Sequence, residues 1–162
     1  MQIIIKNKDT LLYDEFEFKC SVGKNGISSK KFEGDLKTPK GTYSIGPVYF
    51  REDRVLNLTT KLKKIAIKKN MGWCDDPKSK YYNKVITINK KISHEKLFKK
   101  NNSYDILIVI KYNFKIKRYK GSAIFLHLTN NYKKTKGCIS IIKKDMLVLL
   151  KLINKETKIK IT

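Results

Sequence analysis

Two side chains able to do acyl-transfer chemistry stand one loop apart near the C-terminal end of the sequence. The run Gly121-Ser122-Ala123-Ile124-Phe125-Leu126-His127 is a mostly apolar stretch that ends in a histidine. A polar, lysine- and asparagine-rich loop follows, and Thr135-Lys136-Gly137-Cys138-Ile139 returns the chain to a cysteine at the start of another apolar stretch. A thiol is mostly protonated at neutral pH, but a neighbouring imidazolium can lower its pKa from about 8.5 to roughly 3.5–7.5. The thiolate can then attack an amide carbonyl and form a thioester. Glycine before the cysteine permits a sharp turn and close approach of a substrate carbonyl. Backbone N–H groups around Gly137 and Cys138 could then hold the tetrahedral oxyanion. Spacing alone does not single this pair out, because one histidine and one cysteine a loop apart arise often by chance.

Such a pair needs rigid strand ends to hold it at a cleft mouth. Strands are expected at Ile3–Ile5, Leu11–Phe18, Tyr43–Tyr49, Lys64–Ile67, Val85–Ile88, Ile106–Tyr112, Ser122–Leu128, Ile139–Ile142 and Lys158–Ile161, from β-branched and aromatic content and alternation. Gly23-Lys24-Asn25-Gly26 signals a turn. Two segments read as helical. Ser93 can cap a short helix through Phe98, with Glu95 in its first turn. Asp145–Asn154 carries Leu149, Leu152 and Ile153 on one face. Many strands and few helices imply a mostly β fold, a sandwich or barrel, over a single domain spanning residues 1–162.

Bulk composition is globular, with 41% hydrophobic and 31% charged residues. No run reaches the roughly 18 apolar residues of a membrane span. The apolar start at Met1–Ile5 is shorter than the roughly 7–15 residues of a signal-peptide core, so no leader is read in the sequence. The net charge is +23, yet 34 of the 37 basic residues are lysine and they are spread along the chain. Readers of phosphates and bases favour the arginine fork. A coding bias plus a solvated surface is therefore preferred to a nucleic-acid face, although any anionic polymer would be attracted. Cys20, Cys74 and Cys138 form no CxxC pair, so no metal is expected. Cys20 reads as a small buried hydrophobe, and Cys74 as buried or spare. His94 reads as exposed and inert. Asp75 and Asp76 are adjacent and point apart in an extended segment, unlike the flanking carboxylates of a glycosidase.

The segment from His127 through Thr135, Gly137 and Cys138 resembles the C-terminal motif of the YkuD-like L,D-transpeptidases, a histidine followed after a loop by Ser/Thr-x-Gly-Cys. Gly34-Asp35-Leu36-Lys37-Thr38-Pro39-Lys40-Gly41 resembles that family's Gly-Asp-x-x-Thr-Pro-x-Gly element. Gly72-Trp73-Cys74-Asp75-Asp76-Pro77 and Tyr82-Asn83 resemble a central segment found in one branch of it. The similarity runs in order from about Gly26 to Ile142.

The resemblance implies a mostly β domain with a few short helices and no cofactor. It makes Cys138 the nucleophile and His127 the general base and later acid, the imidazole oriented by a backbone carbonyl. It implies peptidoglycan stem peptides as donor and acceptor, with terminal D-alanine released, in the periplasm or cell envelope. A monomer that binds no nucleic acid is expected. Thr135, Lys136, Gly34, Asp35, Trp73 and Asp75 are the substrate-binding candidates; for Trp73 a core position and for the aspartates a turn role stand beside that. Two departures bear on donor recognition: Lys136 stands where many members have a second histidine, and Ser140 where many have an arginine. The same fold could hydrolyse instead, as an L,D-carboxypeptidase or endopeptidase, and a non-catalytic basic module is the more distant alternative.

Overall fold

The computed structural model describes residues 1–29 and 31–162. The chain opens with three short strands, β1 (Gln2–Lys6), β2 (Thr10–Tyr13) and β3 (Phe16–Lys19). The run Leu11–Phe18 is thus two strands, broken at Asp14, which takes a left-handed φ of 53°. Then come β4 (Ile27–Ser28), β5 (Thr38–Pro39), the long β6 (Gly41–Phe50) and β7 (Lys64–Ala66). A second group follows: β8 (Met71–Cys74), β9 (Val85–Thr87) and β10 (His94–Lys96). The C-terminal part holds β11 (Ile106–Ile110), β12 (Phe125–Leu128), β13 (Ile139–Ile141), the helix α1 (Lys143–Leu152) and β14 (Lys158–Ile161).

The main sheet has the order β13-β12-β11-β6-β14-β1-β2-β3, with β7 added beside β6. Its two ends meet. Ser21, just past β3, and Ser140 in β13 exchange two backbone hydrogen bonds of 2.9 Å, and their hydroxyls lie 2.7 Å apart. The sheet is therefore a nearly closed barrel, which removes most of its exposed edge. Of the two expected architectures, the barrel is the one formed.

Burial on both faces of the central strands follows from the alternation. All of β11 is buried. Ile106, Ile108 and Ile110 join Leu126, Leu128, Ile139 and Ile141 in the barrel interior. Leu107 and Val109 face outward into a second cluster with Tyr49, Trp73, Tyr104, Phe125 and Cys138. That outer face is covered by residues of the small sheet β10-β8-β9. Met146, Leu149 and Leu150 of α1 pack into the interior cluster. Leu152, expected on that face, is 37% exposed, because the helix runs from Lys143 and ends at Leu152. Among the described residues no helix is long and apolar enough to cross a membrane.

The segment read as a helix from Ser93 is instead β10, paired antiparallel with β8 so that Glu95 lies opposite Trp73. Pairing with a neighbouring strand outweighs local propensity here. The Ser93 hydroxyl donates to Asp75 Oδ1 at 2.6 Å rather than capping a helix. His94 is half-buried on this strand, not exposed, with Nδ1 held 2.7 Å from the Ile92 carbonyl.

Candidate active site

β12 and β13 run parallel, with Leu126 opposite Ile139 and His127 opposite Ser140. Side chains alternate along a strand. Since Leu126 and Ile139 point into the barrel, His127 and the residue before Ile139, Cys138, both point outward. The two line one open groove of about 660 Å³. Lys136, Thr135, Gly34 and Asp75 line it too.

The sulfur is held by its surroundings. The Phe125 N–H donates to Cys138 Sγ at 3.3 Å, and the thiol donates to the Ala123 carbonyl at 3.2 Å. Ala123 takes a left-handed φ of 52°, which a residue with a Cβ disfavours. Asn83 holds it there. Its Oδ1 accepts from the Ala123 N–H at 3.1 Å and from the Trp73 indole at 2.9 Å. Its amide donates to the Tyr112 carbonyl at 2.9 Å. Upstream, the fully buried Tyr82 donates to Glu33 Oε2 and accepts from the Gly121 N–H at 2.9 Å. Ser122 donates to the same Glu33 oxygen at 2.8 Å. The Trp73 and Tyr82-Asn83 motif is thus a polar brace on the strand that leads to Phe125.

Trp73 is 5% exposed and packs edge-on against Phe125 at 5.1 Å. It does not reach the groove, so its indole is a packing surface and not a face for a stem. Asp35 also stays out of the groove. Its carboxylate accepts from Lys31 Nζ at 2.7 Å, the Phe32 N–H at 2.8 Å and the Lys37 N–H at 2.9 Å. These donors hold its pKa below the usual carboxylate value against the opposing pull of burial. Asp35 therefore ties a loop together, and Gly34 beside it forms part of the groove wall.

The Thr38-Pro39 element meets the cysteine loop directly. The buried Thr38 hydroxyl donates to the Gly137 carbonyl at 2.8 Å and accepts from the Gly23 N–H at 2.8 Å. Gly137 has φ 137°, and a Cβ there would stand 2.9 Å from the Lys37 carbonyl oxygen, so only glycine fits. Its N–H, however, donates to Thr135 Oγ1 at 3.1 Å, while that hydroxyl donates to the Cys138 carbonyl at 2.5 Å. Thr135 therefore fixes the turn, and the Gly137 N–H already has a partner.

His127 Nδ1 lies 2.9 Å from the Leu128 carbonyl. A carbonyl only accepts, so the Leu128 contact selects the tautomer with the proton on Nδ1, and the Ser103 carbonyl also interacts with the ring. Burial pushes the imidazole pKa down to about 4, against the Leu128 carbonyl, which raises it. Burial pushes the Cys138 thiol up to about 12, against the Phe125 N–H, which lowers it. Burial therefore works against a thiolate preformed beside an imidazolium. In a partly desolvated site burial disfavours the charged form of each group.

Three neighbours were not picked out in the sequence. The buried Tyr104 packs edge-on against His127 at 5.2 Å, with Cys138 and Glu95 beside its hydroxyl. Burial first, then the charge of a Cys138 thiolate and of Glu95, pushes its pKa well above the ordinary value. Glu95 pairs with Lys99 at 2.5 Å, and the Lys99 ammonium lies 4.2 Å from the Tyr104 ring centre. On a helix, Glu95 and Lys99 would be an ordinary surface pair. On β10 and the chain after it they line the groove.

Residues 2–161 match the family described as the L,D-transpeptidase catalytic domain, YkuD. Among solved structures, the helical cell shape determining protein Pgp2 from Campylobacter jejuni superposes with a TM-score of 0.56 at 17% identity, over 99% of this chain and 46% of that one. Bd1075 from Bdellovibrio bacteriovorus gives 0.50 at 16% identity, with the same coverage of 99% and 46%. The chain thus spans about half the length of these structures, and at this identity they show a shared fold. No curated protein matches the sequence.

Proposed function

Because the chain belongs to the L,D-transpeptidase catalytic-domain family, we propose that it is a cysteine acyltransferase working on peptidoglycan stem peptides. The observation that carries this reading is the placement of His127 on β12 and of Cys138 directly before the adjacent parallel β13, both facing one open groove, with Nδ1–H donated to a backbone carbonyl. Nε2 is left as the base.

Donor binding displaces water, and the thiol gives its proton to His127 as sulfur attacks the carbonyl at the L-centre of the stem's diamino acid. The sulfur–carbon bond forms, and the oxyanion is held by the Cys138 N–H, since the Gly137 N–H is engaged. On collapse the carbon–nitrogen bond breaks, and the imidazolium returns the proton to the departing D-alanine amine. An acceptor amine then attacks the thioester carbonyl and forms a carbon–nitrogen bond; its proton passes through His127 to the sulfur as the carbon–sulfur bond breaks, releasing the cross-linked product and the free thiol. Water in place of the amine gives the carboxypeptidase outcome.

Glu95, Lys99, Asp75 and Lys136 place both signs of charge along the groove. That suits a stem bearing free carboxylates and an amine. The fold shared with a helical cell shape determining protein is consistent with a cell-shape role in the envelope, which belongs to the same proposal. The test is product analysis with a purified stem tetrapeptide, with and without an amine acceptor. Cross-linked dimer and free D-alanine are expected with the acceptor. Tripeptide alone in both arms would assign the hydrolase, and unchanged tetrapeptide in both would refute the acyltransferase.

A further inference from the structure

Lys31 forms part of the groove wall, and it also lines a second concavity of about 800 Å³ on its other side. Aromatic side chains build this hollow. Tyr43 and Tyr112 meet edge to face at 5.5 Å. Their hydroxyls donate to the Lys40 and Lys120 carbonyls at 2.7 and 2.5 Å, so the phenol oxygens are already engaged. Phe32 and Phe114 flank them, 55% and 46% exposed. Their exposed ring faces border the concavity and are open to a ligand.

The rim is cationic. Lys111, Lys115, Lys117 and Lys120 line the hollow, and none is in an ion pair among the described residues. The Lys120 ammonium lies 4.7 Å from the Phe32 ring centre. The loop that carries these lysines is built rather than loose. Asn113 donates to the Lys117 and Gly121 carbonyls at 2.9 Å each and accepts from the Lys117 N–H at 2.9 Å. Asn113, Ile116 and Tyr119 hold left-handed φ values of 54°, 54° and 63°.

Aromatic faces ringed by unpaired cations suit a ligand that offers flat apolar ring faces and carboxylates at intervals. A sugar chain substituted with acidic peptides has both. We infer that this hollow binds the glycan strand of peptidoglycan, so that the strand crosses the Lys31 and Phe32 rim and presents a stem to Cys138. The inference rests on the acyltransferase reading of the groove. Sugar rings lie against Phe32 and Phe114, and stem carboxylates meet the lysines in a salt-dependent way.

The test is co-sedimentation with purified peptidoglycan sacculi and, separately, with glycan strands stripped of peptide. The double variant F32A/F114A is expected to lose about tenfold in affinity for both. The variant K115Q/K117Q is expected to lose affinity for both, with a shallower salt dependence, because stripping the stems leaves a free lactyl carboxylate on each muramic acid. Acylation of Cys138 by a carbapenem, read by intact mass, reports folding and the groove independently, and it should be unchanged in both variants. Unchanged sedimentation of F32A/F114A would overturn the inference. So would capture of anionic vesicles or nucleic acid, but not stripped glycan, through the same residues. Retained sedimentation with no acylation of the wild type would instead sink the reading of the groove.

Discussion

Strands β11, β12 and β13 have two faces, and the two do different work. The inward face is aliphatic: Ile106, Ile108, Ile110, Leu126, Leu128, Ile139 and Ile141, all at or below 3% exposure. The outward face, one residue out of phase, carries Phe125, His127 and Cys138 with Trp73 and Tyr104 packed on them. The inner face is held by close packing alone. The outer face is held by directed bonds, from Ala123 and Trp73 to Asn83, from Phe125 to the sulfur, and from His127 to Leu128. Alternation lets one set of strands build a core and aim a reactive pair without a side chain serving both ends.

Substitutions on the two faces should therefore separate activity from stability. Cys138→Ala is expected to abolish D-alanine release from a stem tetrapeptide while leaving the melting transition nearly in place. His127→Ala should slow release by about 10²–10⁴-fold, the usual worth of a general base. On the other face, Ile139→Ala should cost about 2–5 kcal/mol in denaturant unfolding, with the folded fraction still able to acylate. If Ile139→Ala lost acylation at unchanged stability, the division between the faces would be wrong. Tyr104→Phe removes only a hydroxyl beside the sulfur. It should slow acylation by roughly tenfold, about the worth of one hydrogen bond to a charged partner, without moving the melting temperature.

Charge suppression on the outer face also gives stability a pH signature. His127 in the fold titrates near 4 against an ordinary 6.5, so below pH 6.5 the unfolded chain takes up the proton first. Stability should fall as pH drops from about 6.5 toward 4. Cys20 and Cys138 are both pushed up to about 12 from 9.0, chiefly by burial. Between about pH 9 and 12 the unfolded chain loses those protons first, so stability should fall as pH rises. Thermal melts across pH check both limbs, and the acid limb should shrink in His127→Ala.

Much of this was legible in the sequence. Alternating apolar residues located β1, β6, β11, β12 and β14 to within a few residues. Spacing alone did not single out the groove-lining pair; the resemblance of His127, Thr135, Gly137 and Cys138 to the L,D-transpeptidase motif did. What escaped was long-range. β8 and β10 are short and lack a clear period, and they exist as strands because they pair with each other. Reading β10 as a helix hid Glu95 and Lys99, and Tyr104 sat among asparagines in a segment with no catalytic pattern. For Trp73 the core position, slightly preferred from the sequence over stem binding, is the one formed. Asp35, placed near the site by the family resemblance, is saturated by its own loop.

The most direct check on the central claim is acid-quenched intact-mass analysis with peptide mapping, after brief incubation with a stem tetrapeptide. The account predicts an adduct equal to the stem lacking its terminal alanine, mapped to Cys138, absent in Cys138→Ala and scarce in His127→Ala. An adduct on Cys20 or Cys74, or turnover with no covalent species and full activity in Cys138→Ala, would contradict it.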